Sequence, residues 1–489
     1  MEVRVRYAPS PTGLQHIGGV RTALFNYFFA KANGGKFILR VEDTDRTRYS
    51  EESLQDLYDT LEWLGIDYDE GPVKGGEYGP YVQSERTEIY REYAQKLVES
   101  GNAYYCYCTE ERLNELREYQ QENKLDPGYD RKCQHITNEE RDKLISQGVK
   151  PVLRLKVPTE GKTSFDDIVL GKITRKNKDV MVDPILMKAD GFPTYHLANV
   201  IDDHLMKITH ILRAQEWIPS GPVHVMLYNA FGWEPPIYAH LPMVMGKDGK
   251  KLSKRHGATS LIQFREGGYI KEGLINYVTL VGWSFDDKRE FFTKEEFEEL
   301  FCLEKISKSP GIFDYKKLDW FNGQYLRKLD DSRLEELLIP ILEKEGVVSN
   351  PISDSQKSIF LNAMPIFRER LTLTTDIVDC INFLFNDIET YDLEVLVPKK
   401  MEKIQVINIL SHTISLLEDF NNHTPEENEE IFKNKCDELG VKVGDMFMPL
   451  RVAVTGTKAS PPLFESIKLL GYEKAIERVK NALEVLKQE

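Results

Sequence analysis

Along the first fifty residues the spacing of apolar positions changes twice. Val3, Val5 and Tyr7 alternate with Arg4 and Arg6, a period of two that predicts a strand with arginine on its other face. A proline- and glycine-rich loop follows, from Pro9, Pro11 and Gly13 to Gly18 and Gly19, and then a helical run from Val20 to Ala32. Asn33-Gly34-Gly35 suits a left-handed helix end, and Phe37-Ile38-Leu39-Arg40-Val41 returns as a second, largely buried strand. Strand, glycine turn, helix and strand form a βαβ unit, which predicts a parallel sheet with its ligand at the C-terminal strand ends. Strand signals recur at Ile185-Leu186-Met187 and from Ile208 to Leu212. Farther on they become rare, and apolar residues keep helical spacing, as at Ile476, Val479, Leu483 and Leu486. The expected architecture is therefore an α/β front and an all-α back half, with a boundary near Lys328.

Composition narrows the class. A chain of 489 residues has room for roughly three domains, and 41% hydrophobic with 29% charged residues is the make-up of a soluble globular protein. No apolar run approaches the ~18 residues a membrane helix needs, and Met1 to Arg6 carries no hydrophobic targeting core, so a cytoplasmic protein is expected. The net charge of −15 argues against a general nucleic-acid binder and leaves room for a selective one with local basic patches.

Two segments carry candidate chemistry. In the first, Gln15-His16-Ile17-Gly18-Gly19, a glycine turn feeds a helix N-terminus, so backbone N–H groups and the positive dipole end can meet phosphate oxygens, with His16 as a further donor. The second is Lys251-Leu252-Ser253-Lys254-Arg255 behind the turn Gly246-Lys247-Asp248-Gly249, a mobile cationic loop suited to a triphosphate. Alone, the first is an ordinary loop histidine and the second a solvated basic loop.

Together they resemble the two signatures of class I aminoacyl-tRNA synthetases. Five further segments resemble the bacterial glutamyl-tRNA synthetase family: Arg6-Tyr7-Ala8-Pro9-Ser10-Pro11-Thr12-Gly13, Val41-Glu42-Asp43-Thr44-Asp45, Gln83-Ser84-Glu85-Arg86, Tyr195 to His204, and Phe313 to Leu318. The first signature ends in Gly19 where many class I enzymes have a second histidine, which puts the phosphate contact on His16. The resemblance implies a Rossmann-like parallel-sheet catalytic domain in 1–90 and 186–250, and an inserted tRNA acceptor-binding domain in 91–185. It further implies a signature-loop and stem-contact domain in 251–328 and an α-helical anticodon-binding domain in 329–489. It also implies ATP, Mg2+, L-glutamate and tRNA(Glu) as substrates and partners, no membrane, and a monomer.

Charge complementarity defines the expected glutamate pocket. A dicarboxylate with one ammonium group needs two cations and an anion, because a buried unpaired charge costs several kcal/mol. Arg6 and Arg213 supply the cations, either of which could take the side-chain carboxylate, and Glu42 supplies the anion. By resemblance Ala8, Ser10, Tyr195 and Asn199 complete that pocket, while Gly18, Gly19, Glu216, Val244, Ser253, Lys254 and Arg255 meet ATP. The implied reaction is adenylation followed by transfer to the terminal adenosine of tRNA. His16 and Lys254 would stabilise the transition state, with Lys251 helping, and the family needs tRNA present for activation.

Cys106-Tyr107-Cys108 and Cys133-Gln134-His135 form two close pairs that can close a tetrahedral structural zinc site, with Tyr129 as substitute if His135 points away. Cys302, Cys380 and Cys436 read as packing residues. In the helical half Arg370 and Arg451 are candidates for anticodon reading, since arginine can pair with or stack on an unstacked base. An alternative within the family is a non-discriminating enzyme that also charges tRNA(Gln) with glutamate. A nucleotidyltransferase would explain the His16 loop but needs neither Lys251 to Arg255 nor a helical tail. A catalytically dead tRNA binder would have lost His16 or Lys254, and both are present.

Overall fold

The computed structural model describes residues 2–458 and 460–488. Strand β1 (Arg4–Tyr7) leads through the glycine loop into helix α1 (Ile17–Ala32), and β2 (Lys36–Leu39) returns parallel to β1, with Val5 opposite Phe37. Helix α1 begins ahead of the expected Val20 because His16 caps it, its Nδ1 accepting from Gly18 N–H at 3.0 Å. It ends at Asn33 with Gly34 at φ +59°. A Cβ on Gly35 would stand 2.2 Å from Val3 O, so the crossover into β2 requires glycine there.

Next come α2 (Glu51–Leu64), α3 (Thr87–Glu99), β3 (Ala103–Cys106), α4 (Glu110–Glu122), α5 (Asn138–Ser146) and β4 (Val152–Leu155). They are followed by β5 (Lys162–Asp167), β6 (Gly171–Lys176), β7 (Ile185–Met187), α6 (Tyr195–Leu205), β8 (His210–Ala214), α7 (Gly221–Phe231) and β9 (Ile237–Leu241). Strands β8, β9 and β5 run parallel, and the sheet order is β6-β5-β9-β8. Thr209 N–H donates to Arg4 O at 2.9 Å and its hydroxyl accepts from Arg4 N–H at 2.9 Å, which sets β1 beside the start of β8. Ile208 N–H donates to Asp203 O at 2.8 Å behind Lys207 at φ +57°, so β8 starts later than the expected Ile208. Of the strands in the stretch 91–185, β3 and β4 make a separate antiparallel sheet with β7, which runs past its end, in the order β3-β4-β7, whereas β5 and β6 extend the sheet of β8 and β9.

By packing, the chain divides into two units: Met1–Phe264 with Ile275–Asp314, and Arg265–Leu274 with Tyr315–Glu489. The second is helical throughout its described elements. The helix Tyr315–Lys328 belongs to it, because Leu326 shares a core with Leu334, Leu338 and Phe360, and Asn322 accepts from Ile270 N–H at 2.8 Å. The division therefore precedes this helix, where the apolar spacing had placed a boundary at its far end near Lys328. A second core gathers Leu410, Phe432, Leu450 and Phe464 with Val479, Leu483 and Leu486 of the last helix. Among the described residues no helix is long and apolar enough to cross a membrane.

Candidate active site

A cavity of about 1230 Å³ opens at the C-terminal ends of β1, β2 and β8 and at the N-terminus of α1. His16, Gly18 and Gly19 form one wall, and Lys251 to Arg255 form another. Because His16 Nδ1 accepts the Gly18 N–H, a neutral imidazole carries its proton on Nε2, as a donor. Burial, and then the nearby Lys251 ammonium, hold the His16 pKa below its ordinary value, which favours that neutral form. A Cβ on Gly19 would lie 3.1 Å from the Tyr7 hydroxyl, which donates to Gln15 Oε1 at 2.8 Å, so this turn is closely packed.

Main-chain bonds tie the first signature to the stretch just past the second, Thr259 to Leu261. Ile17 N–H donates to Thr259 O at 2.8 Å and Leu261 N–H to Gln15 O at 3.0 Å. At its other end the second segment is a tight turn, with Gly246 N–H donating to Lys250 O at 2.8 Å and Gly249 at φ +72°. Buried Leu252 pins the middle, its N–H donating to Val244 O at 3.0 Å, while Lys251, Lys254 and Arg255 stay exposed. Ser253 and His256 cap one another. Lys251 is ion-paired with Glu216, so two residues expected on the nucleotide hold each other here.

Behind the cavity wall lies a buried charge network. Arg6 binds Asp203 through Nε at 2.9 Å and Nη2 at 3.2 Å, and Arg40 binds Asp203 at 2.7 Å and Glu42 at 3.0 Å. Burial raises the Glu42 pKa, opposed by Arg40 and Arg6. Asn199 fits between them: with its amide oxygen and nitrogen exchanged it accepts from Arg40 Nη2 at 3.1 Å and donates to Asp203 Oδ2 at 3.2 Å. Arg213 is held by other means: its Nε donates to His240 Nε2 at 3.0 Å, Nη1 to the Tyr195 hydroxyl at 3.1 Å and Nη2 to Trp217 O at 3.3 Å. Ala8, Ser10 and Val244 also line the cavity. The expected pocket residues thus share one wall system. Arg40, Asp203 and His240 were missed; the available signal was a charged or polar residue inside an apolar strand or helix, which burial obliges to find a partner.

The cysteine cluster departs from its expected set. Sγ atoms of Cys106, Cys108 and Cys133 lie within 4.8 Å of one another, and His135 is not among them. Arg131 takes φ +62° and opens a short turn, Lys132–Gln134, which buries Cys133 and leaves His135 exposed. The Tyr129 hydroxyl occupies the fourth side, 3.4 Å from Cys106 Sγ and 3.5 Å from Cys108 Sγ, with the Arg154 guanidinium 4.0 Å over its ring. Three thiols converging on one point could supply three of the four donors of a closed zinc site, with the Tyr129 hydroxyl rather than His135 on the fourth side.

In the helical unit Arg370 and Arg451 line one cavity of about 390 Å³ with Asp376, Asp379 and Cys380. Arg451 Nη1 donates to Ser460 O at 3.2 Å and Pro461 O at 2.5 Å, and its pKa is lowered by burial and by the Arg370 charge.

Comparison with known proteins shows the family. Residues 2–320 match the family described as tRNA synthetases class I (E and Q), catalytic domain, and residues 333–483 match the anticodon binding domain. A glutamate--tRNA ligase of Borreliella burgdorferi is 55% identical over 489 residues, covering 100% of this chain and 99% of the relative. One from Treponema denticola is 51% identical over 502 residues, covering 99% of each. The crystal structure of a glutamate tRNA ligase from Elizabethkingia meningosepticum in complex with its amino acid superposes with a TM-score of 0.84 at 35% identity, covering 99% of this chain and 100% of that one.

Proposed function

This chain belongs to the glutamate--tRNA ligases, class I aminoacyl-tRNA synthetases, and from that premise we propose how its residues divide the work of charging tRNA(Glu). What carries the reading is that His16, Gly18 and Gly19 and the loop Lys251 to Arg255 line the same cavity as Arg6, Glu42, Tyr195 and Arg213, with the first segment bonded through Ile17 to Thr259 just past the loop.

The α-carboxylate oxygen of L-glutamate attacks the α-phosphorus of ATP, the bond to the β-phosphate oxygen breaks, and pyrophosphate leaves with Mg2+. His16 Nε2–H and the amides at the α1 N-terminus receive phosphate oxygens, and Lys254 and Arg255 swing in from the exposed loop. Lys251 exchanges Glu216 for phosphate, which leaves Glu216 for the ribose hydroxyls. Most of the acceleration then comes from placement and fixed charge. The 2′-hydroxyl of the terminal adenosine next attacks the acyl carbon and AMP departs.

Arg6 is already matched by Asp203, whereas Arg213 has no ion-pair partner among the described residues. We therefore assign the substrate side-chain carboxylate to Arg213 and Tyr195. Glu42, with one oxygen on Arg40, offers the other to the α-ammonium. Cys106, Cys108, Cys133 and Tyr129 would hold zinc, which would brace the antiparallel sheet of β3, β4 and β7 without taking part in the reaction. Arg370 and Arg451 would read the anticodon: guanidinium groups beside Asp376 and Asp379 suit a base edge carrying both acceptors and donors. A translation enzyme of this kind works in the cytoplasm.

The test is charging of purified glutamate and glutamine tRNA transcripts with labelled glutamate. The expected result is label on the glutamate acceptor. Equal charging of both would establish the non-discriminating alternative, and charging of neither would overturn the assignment.

A further inference from the structure

Arg213 is oriented from behind by a relay that neither signature contains. On β5, the Asp167 carboxylate accepts four hydrogen bonds: Oδ1 from Val169 N–H at 3.0 Å and Leu170 N–H at 2.8 Å, Oδ2 from His240 N–H at 3.0 Å and His240 Nδ1 at 2.7 Å. Asp167 and His240 side chains are both wholly buried. A carboxylate facing Nδ1 fixes the proton there, which leaves Nε2 as the acceptor that meets Arg213 Nε–H at 3.0 Å. Burial lowers the His240 pKa, as does the Arg213 charge, while Asp167 opposes both. A neutral imidazole in this tautomer can accept from a guanidinium. The opposite tautomer would turn N–H against N–H.

We propose that Asp167 and His240 are positioning residues for glutamate recognition: Asp167 selects the His240 tautomer, and His240 holds the Nε edge of Arg213 so that its terminal nitrogens face the substrate carboxylate. The inference rests on the assignment of Arg213 to that carboxylate. It also gives β5, which the sequence places inside the expected insertion, a part in the amino-acid pocket.

The experiment is glutamate-dependent ATP–pyrophosphate exchange, with tRNA present, on Asp167→Ala, His240→Phe, the double variant and Arg213→Gln, with circular dichroism to confirm folding. Each of the two relay variants should raise the glutamate KM about tenfold or more, the scale of a hydrogen bond to a charged group, while the ATP KM stays near wild type. Because Asp167 acts through His240, the double variant should be no worse than His240→Phe alone. Losses that multiply, an unchanged glutamate KM in either relay variant, or an equal rise in the ATP KM would overturn the relay. An unchanged glutamate KM in Arg213→Gln would instead overturn the assignment of Arg213 beneath it. Should Asp167→Ala fail to fold, His240→Phe alone decides by the same KM comparison.

Discussion

The two cavities hold their cations differently. In the larger, Arg6 and Arg40 are buried and locked by carboxylates, and Arg213 is gripped by acceptors from β9, α6 and the turn after β8. In the smaller, Arg370 is exposed and Arg451 leans on a turn through Ser460 and Pro461. The first is a receptor set before its ligand arrives, while in the second only the exposed Arg370 keeps the freedom that the proposed reading of an unstacked base would use. Bond-making demands placement to within about 0.5 Å, which only a network tied at several points can supply. Recognition of an unstacked base tolerates adjustment.

The sharpest way to break this contrast is to remove Asp203. Asp203→Asn leaves buried Arg6 without its counter-charge, while Arg40 keeps Glu42, so about 3–5 kcal/mol of stability should be lost, seen as a fall in Tm. A variant that melts with wild type would show that the larger cavity is no more preset than the smaller. Next in size, His16→Ala and Lys254→Ala should each lower kcat about 10²–10³-fold, roughly 3–4 kcal/mol, because their contacts strengthen in the transition state. A loss confined to KM would reduce both to ground-state ATP contacts.

Acidity probes the same buried wall. His196 stands 3.2 Å from the buried His224, and burial, helped by Arg213, lowers its pKa to about 4. Between that value and an ordinary 6.5 the unfolded chain takes a proton that the folded chain refuses, so stability should fall as pH drops through this window. Melting curves of His196→Gln should show a shallower fall; an unchanged slope would move the effect elsewhere. For the cysteine cluster, Cys108→Ser should lose bound zinc and weaken acceptor-end binding, and elemental analysis of wild type without zinc would remove that claim. The smallest change is expected in the helical unit, where Arg370→Gln should shift the ratio of glutamate-tRNA to glutamine-tRNA charging about tenfold, the low end for a bidentate arginine contact. If neither this variant nor one at Arg451 shifts the ratio, the reading residues lie elsewhere.

Legibility in the sequence follows the same contrast. That His16 and Lys254 line one cavity was legible because a helix N-terminus and a cationic loop stand out through local spacing. The βαβ entry and the helical back half were legible from period alone. Arg40, Asp203 and His240 pair with residues far off in the chain, and a single sequence does not state such partners. His135 failed for a local reason: close spacing to Cys133 does not say which way a side chain faces after a left-handed residue. The place of β5 beside β9 was hidden because it depends on one parallel pairing, Asp167 with Tyr238, across a long separation.

The bonds from Ile17 to Thr259 and from Gln15 to Leu261 also bear on how such a chain can change length. They hold residues 15–17 against residues 259–261 from main chain to main chain, so the span between does not set the width of the proposed phosphate site on its His16 side. Loop-closure entropy grows only slowly with contour length, about 0.6 kcal/mol per doubling. A segment such as β3 to α5 could therefore be shortened, enlarged or exchanged while the gap that receives the phosphates keeps its dimension. Geometry at this site is insulated from history elsewhere in the polypeptide.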